Sequence, residues 1–246
     1  MKLSIILPSF RRADLLGWGL ESIRRQKVTF DYEILVLNDG IPDETESICK
    51  RFGADYYFTG QRNINGLIWR CPGTVINFGV SIAKAENILI ACPEIYLIQD
   101  TILQRLTEEV IIGRNTISIT KGYDDTTGRF LEHLKQGGNW STFSPEGLVG
   151  YLHTRYPFCL CMTKSRFNSI GGYDEEFTGG VGFDDTDFYF RAVKAGIVYS
   201  EQLDLEIIHL YHDRCTRAGI DHITYNKLLE RNKQLYMTKN NTIKYL

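Results

Sequence analysis

Residues 3–12, LSIILPSFRR, and residues 32–40, YEILVLNDG, decide the fold. Each is a nearly unbroken apolar run that stops at turn residues, the first at Pro8 and the second at Asn38-Asp39-Gly40. Consecutive apolar positions over so short a span describe a strand buried on both faces, as in a parallel sheet covered by helices. Between the two runs, Asp14 to Arg25 carries Leu15, Leu16, Trp18, Leu20 and Ile23 among polar residues. That spacing predicts a helix with one apolar face against the sheet, and hence a βαβ unit.

The alternation continues outward, with a helix near Asp43 to Phe52, a strand at Ala54 to Phe58, a helix from Gly73 to Lys84 and a strand at Asn87 to Ala91. A helix near Gln99 to Ile112 and a strand at Thr116 to Thr120 follow. The pattern predicts one α/β domain, Rossmann-type, with a mostly parallel central sheet flanked by helices. The domain divides into residues 1–120, residues 121–215 and an expected helical tail at residues 216–246. The polar, Gly-rich stretch from Gly122 to Gly150 has weak periodicity and reads as a mobile substrate loop, reaching from about Lys121 to His153 and including Trp140. Regularity returns with a strand at Phe158 to Thr163, a helix from Asp185 to Lys194, a strand at Leu205 to Leu210 and a helix from His222 to Lys239.

The 246 residues are 43% hydrophobic and 24% charged with a net charge of −2, an ordinary globular balance. Nothing in that balance argues for nucleic acid as a partner. The beginning of the chain lacks the features of a signal peptide, and no stretch has the length of a membrane span. The six cysteines form no CxxC pair or regular framework, so they are expected to be reduced thiols in a cytoplasmic protein.

Ligands of open α/β sheets sit beyond the carboxyl ends of the strands. Three polar strand ends stand out, at Pro8-Ser9-Phe10-Arg11, Asn38-Asp39-Gly40 and Cys92-Pro93-Glu94. Phe10 suits stacking on a planar base, and Asp39 suits accepting from a ring N–H, which reads a uracil without a GxGxxG loop. Taken singly, Pro8 also ends a strand and Asp39-Gly40 also makes a turn. The richest stretches are IGGYDEEF at 170–177 and GGVGFDDTDF at 179–188. A helix dipole accounts for acids in a first turn but not for the preceding glycines, which let backbone approach a ligand. A carboxylate at a rigid helix start also suits a general base.

Taken together, these segments resemble family 2 glycosyltransferases with the GT-A fold. Ser4 to Arg12 is similar to the family's strand followed by Pro-Thr-Tyr-Asn-Arg, and Glu33 to Gly40 to its second strand and acidic turn. Asn77-Phe78-Gly79 resembles the family's Asn-x-Gly helix, with Ile76 in place of its usual Arg. The resemblance implies an inverting transfer from a nucleotide-sugar, UDP-linked donor to a glycan or other hydroxyl acceptor in polysaccharide biosynthesis. It implies Asp185 as the base, since it matches the second acid of the family's Glu-Asp motif. Donor-nucleotide contacts fall on Pro8, Ser9, Phe10, Arg11 and Asp39, with Arg70 and Arg62 adding positive charge, and acceptor contacts on Gly172, Asp184 and Trp140. Where the family has Asp-x-Asp this chain has Cys92-Pro93-Glu94, so Glu94 with His209 is left to hold Mn2+ or Mg2+, and His212 is expected to matter much less. Two rivals remain: a sugar nucleotidyltransferase, which needs a Gly-rich basic loop after the first strand, and a catalytically degenerate nucleotide- or glycan-binding relative.

Overall fold

The two apolar runs are adjacent parallel strands in the computed structural model, which describes residues 1–60, 71–144, 148–151, 159–213, 215 and 219–240. Strand β1 (Leu3–Ser9) pairs with β2 (Tyr32–Asn38) from Leu3 opposite Tyr32 to Ser9 opposite Asn38. Strand β3 (Asp55–Phe58) extends the sheet beyond β2, and β4 (Asn87–Ala91) lies on the other side of β1, all four parallel. The sheet continues through β8 (Cys159–Thr163), β6 (Thr116–Asp124), β9 (Val198–His209) and β5 (Ile95–Leu97), with β7 (Val149–Tyr151) on β6. Strands β5, β7 and β8 run against their neighbours, whereas β6 and β9 are parallel. The domain is therefore α/β with a mostly parallel sheet, and β1, β2, β4, β6 and β9 deliver their carboxyl ends to one edge.

Helices cover both faces because each has an apolar stripe to bury. On one face α1 (Ala13–Arg24), α2 (Thr45–Phe52) and α4 (Ile102–Gly113) bury Leu16, Leu20, Ile48, Leu103 and Leu106 with Leu7, Val36 and Leu89. On the other, α3 (Gly73–Ile82), α6 (Lys164–Ser169) and α7 (Asp184–Lys194) bury Val75, Ile76, Phe167, Phe188 and Ala192. A third cluster joins Leu15 and Tyr96 to α5 (Arg129–Lys135) through Phe130 and Leu134. Helix α8 (His222–Asn240) buries only Asn232 and Tyr236.

The structure departs from the sequence reading where polar residues hide regular backbone. Strand β9 starts at Val198 rather than Leu205, because its first half is mostly exposed and is held by pairing with β6. The expected loop after residue 121 contains the end of β6, helix α5, a 3-10 turn at Trp140–Thr142 and β7. Trp140 packs edge-on against Phe130, with ring centres 6.2 Å apart. Residues 145–147 and 152–153 of that loop, together with Arg62 and Arg70, lie outside the described residues. All six cysteines are free thiols. Among the described residues no helix is long and apolar enough to cross a membrane.

Candidate active site

The carboxyl edge of the sheet gathers a buried polar cluster. Glu94, just beyond β4 and 6% exposed, precedes β5, whose Ile95 pairs with His209 at the end of β9. The Leu210 N–H donates to the Glu94 carbonyl at 2.9 Å, and Asp124 at the end of β6 pairs with His209. Strand pairing thus fixes the centre before any side-chain contact is made.

Glu94 Oε1 receives three groups: Arg12 Nε at 3.2 Å, His209 Nε2 at 3.5 Å and His212 Nε2 at 3.5 Å. Burial alone raises a carboxyl pKa, but the hydrogen bond from His209 and the charges of Arg12, His209 and His212 reverse this and hold Glu94 well below the usual range. Burial pushes His212 down to about 4 against the attraction of Glu94, so this ring is neutral at neutral pH. Burial also acts downward on His209, where hydrogen bonds to Asp124 and Glu94 outweigh it and raise its pKa.

The other ring nitrogens fix the tautomers. His209 Nδ1 faces Asp124 Oδ1 at 3.1 Å and His212 Nδ1 faces the Leu210 carbonyl at 3.2 Å. Both partners only accept, so each Nδ1 carries its hydrogen and each Nε2 turns to the centre, the arrangement of metal-ligating imidazoles backed by a carboxylate or carbonyl. Ligand atoms of Glu94, His209 and His212 lie within 4.8 Å of one another. Glu94 Oε2 is buried with no hydrogen-bond partner, an orphaned acceptor that a divalent cation would satisfy. These residues fit a metal, and His212 reaches Glu94 as closely as His209 does.

Arg12 links this centre to the first strand end, since its Nη1 donates to the Phe10 carbonyl at 3.3 Å. Ser9 is buried, and its carbonyl accepts the Asp39 N–H at 2.9 Å, so the ends of β1 and β2 are tied together. Asp39 Oδ1 accepts from Thr59 at 2.9 Å, while Asn38 holds the turn by accepting the Gly40 N–H and donating to the Ile41 carbonyl. The Phe10 ring is 7% exposed and lies under the Arg11 guanidinium, 5.3 Å from the ring centre. Stacking of a base on Phe10 therefore requires Arg11 to swing aside.

Asp184 and Asp185 open α7, whose last residue, Lys194, is followed after a short turn by the start of β9. A helix that feeds a strand this way runs against it, with its first turn toward the strand's carboxyl end, and the loop before Asp184 meets the start of α3 where Cys71 Sγ donates to the Gly180 carbonyl at 3.2 Å. Burial raises the Asp185 pKa well above the carboxylate range, Asp184 adds like-charge repulsion, and the Tyr173 hydroxyl offsets part of the shift. Asp184 is 2% exposed. Asp187 instead pairs with Arg191 at 2.7 Å, one helical turn on.

Sequence reasoning missed what Asn77 does. Its side chain donates to the Tyr173 carbonyl and accepts the Tyr173 N–H, both at 2.9 Å, clamping the residue whose hydroxyl borders Asp185. Gly172, expected beside the acceptor, is buried under this clamp at φ 64, and a Cβ there would lie 2.6 Å from Asn77 Oδ1. The Asn-x-Gly and Gly-Gly motifs were visible signals, but their meeting is a tertiary contact.

A signature described as "Glycosyl transferase family 2" matches residues 4–92, and one described as "N-terminal domain of galactosyltransferase" matches residues 156–213. Chondroitin synthase of Escherichia coli is 24% identical over 241 residues, covering 81% of this chain and 34% of that protein. S. aureus TarS in complex with UDP-GlcNAc shares the fold with a TM-score of 0.63 at 17% identity, covering 96% of this chain and 67% of that one. The mannosyltransferase PcManGT from Pyrobaculum calidifontis, in complex with GDP-Man and Mn2+, gives a TM-score of 0.61 at 13% identity, covering 96% and 64%. This chain thus spans about a third of the length of its curated relative. The first signature covers the ends of β1 and β2 and the second covers the paired Gly-Gly and Asp-Asp blocks, so this chain resembles glycosyltransferase family 2 over residues 4–92 and shares the GT-A fold of these structures.

Proposed function

We propose that this chain transfers a sugar from a UDP-linked donor to a glycan hydroxyl, inverting the anomeric carbon. The observation that carries the reading is the buried Glu94, His209 and His212 cluster, joined through Arg12 to the Phe10 strand end. The donor class is supported by the UDP-GlcNAc bound to TarS, and the glycan acceptor by the name of the E. coli relative. The acceptor oxygen attacks the anomeric carbon as the carbon–oxygen bond to the diphosphate breaks, and its proton passes to Asp185. Burial and the neighbouring Asp184 raise the pKa of Asp185, which makes it a stronger base than a free carboxylate.

Glu94, His209 and His212 would hold the cation, with Glu94 Oε2 as an available oxygen. When bound, it would neutralise charge on the departing diphosphate. Two imidazoles in the set favour Mn2+ over Mg2+, which prefers an all-oxygen shell. Free thiols, Cys71 among them, suit the reducing cytoplasm.

Nucleotide release measured against a panel of sugar nucleotides tests the reaction, with turnover of UDP-sugars expected. Asp39 tests the donor base. Isothermal calorimetry is expected to give tighter binding of UDP than GDP, and Asp39→Ala to weaken UDP by about tenfold or more, the worth of a hydrogen bond to a charged acceptor. A preference for GDP, or unchanged UDP affinity in the variant, overturns the assignment of Asp39.

A further inference from the structure

Helix α8 lies outside both matched signatures, yet it carries a fully buried amide that touches the loop leading to Asp184 and Asp185. Asn232 is 0% exposed on a helix that otherwise buries only Tyr236. Its Nδ2 donates to the Gly182 carbonyl at 2.8 Å and the Phe177 carbonyl at 3.0 Å, and contacts Cys71 Sγ at 3.5 Å. Its Oδ1 accepts from Arg231 Nη1 at 2.6 Å, and the same guanidinium reaches the Glu176 carbonyl. The Val181 N–H donates to the Leu228 carbonyl, so the loop is held from both sides of its backbone.

The loop needs such holding. Phe183, directly before Asp184, has φ 65, a conformation unfavourable for an L-residue that persists only where its surroundings enforce it. The Phe183 ring packs on Tyr236 of α8 with ring centres 5.7 Å apart. Gly180 admits no side chain, because a Cβ would fall 2.1 Å from Asn232 Oδ1. Cys71, bonded to the Gly180 carbonyl, joins the start of α3 to the same knot.

We infer that Asn232 is a positioning residue of the reaction, and that α8 latches the Gly179–Gly182 loop so that α7 presents Asp185 in register for the acceptor hydroxyl. Asn77 clamps the Tyr173 side of the same carboxyl, and Asn232 clamps the Gly182 side. The inference rests on Asp185 being the base. An apolar residue at 232 removes both donors from carbonyls that stay buried, and the loop relaxes. A displacement of about an ångström at a reacting group is enough to cost about a hundredfold in rate.

The test uses the full chain with Asn232→Leu, Asn232→Ser, Asp185→Asn and the Asn232→Leu/Asp185→Asn pair, each first checked for a cooperative thermal transition. The expected result for Asn232→Leu is a kcat lowered about tenfold to a hundredfold with donor KM within about threefold, the pattern of a group acting in the transition state. Asn232→Ser retains one donor and is expected to be intermediate; it carries the test if the leucine variant does not fold. In the Asp185→Asn background, Asn232→Leu is expected to cause little further loss. A full additive loss in that background, or an unchanged kcat in both Asn232 variants, overturns the positioning role. Near-normal turnover of Asp185→Asn alone overturns the base assignment, which separates the two failures.

Discussion

Asp185→Asn is expected to lower turnover by about a hundredfold to ten-thousandfold, the usual worth of general-base assistance, while donor affinity stays near normal. The amide has the shape of the carboxylate but cannot take the acceptor proton. The same substitution is expected to stabilise the protein above the ordinary carboxylate range. The sign follows from linkage: the folded-state pKa of Asp185 is raised by burial and by Asp184, so the folded state holds this proton more tightly than the unfolded chain. Stability from this group is complete below the unfolded value of about 4 and is lost as pH rises through the folded pKa. Asn has no proton to lose, so thermal melts of the two proteins should diverge as pH rises, with the variant the more stable. In the active protein, kcat should rise with pH along a limb displaced above that of a free carboxylate. Asp184→Asn removes like-charge repulsion and should move that limb to lower pH. A folded Asp185→Asn protein with near-normal turnover would falsify the assignment.

How much of this was legible in the sequence depends on the range of the interaction. The βαβ core was, because buried parallel strands need continuous apolar runs and Leu3 to Leu7 and Tyr32 to Leu37 are such runs. The first half of β9 was not: its polar residues are strand only because β6 offers them backbone partners. Helix α5 was hidden for a related reason, since its seven residues are too few to show a period and its apolar side is defined by Tyr96 and Phe143 packing on Phe130. Within the site, Glu94, His209 and Asp185 stood at strand ends or a helix start, where sequence position predicts exposure to a ligand. His212 ranked below His209 because the family resemblance puts a metal-binding His at the strand end; the contact of its Nε2 with Glu94 Oε1 is tertiary and has no mark in the sequence. Asn77 and Asn232 act across 96 and 50 residues of chain: the Asn-x-Gly motif marks Asn77 but not its partner Tyr173, and no local pattern marks Asn232.

Removing the metal, or the oxygen that anchors it, is expected to produce the other large loss. Glu94→Ala deletes the carboxylate that Arg12, His209 and His212 face and leaves those side chains buried around a void. Glu94→Gln keeps the volume, so it separates lost charge from lost packing. Both should abolish Mn2+-dependent donor binding, because two imidazoles alone give a hard cation no anionic oxygen from the protein. Equilibrium binding of UDP with Mn2+, with Mg2+ and in excess chelator reads this directly, and affinity in chelator should fall close to that of the Glu94 variants with metal. His209→Ala and His212→Ala should each weaken metal-dependent binding. The loss at His212 should be comparable to that at His209, since both Nε2 atoms stand 3.5 Å from Glu94 Oε1. Asp124→Asn should give a milder version, because it weakens the support of the His209 ring without touching the centre, and loss of such a partner typically costs about tenfold to a hundredfold in metal affinity. Full activity in chelator, together with Glu94→Gln turnover like that of the parent, would instead mean that Arg12 and Glu94 form a purely structural ion pair and that cationic side chains stabilise the leaving diphosphate.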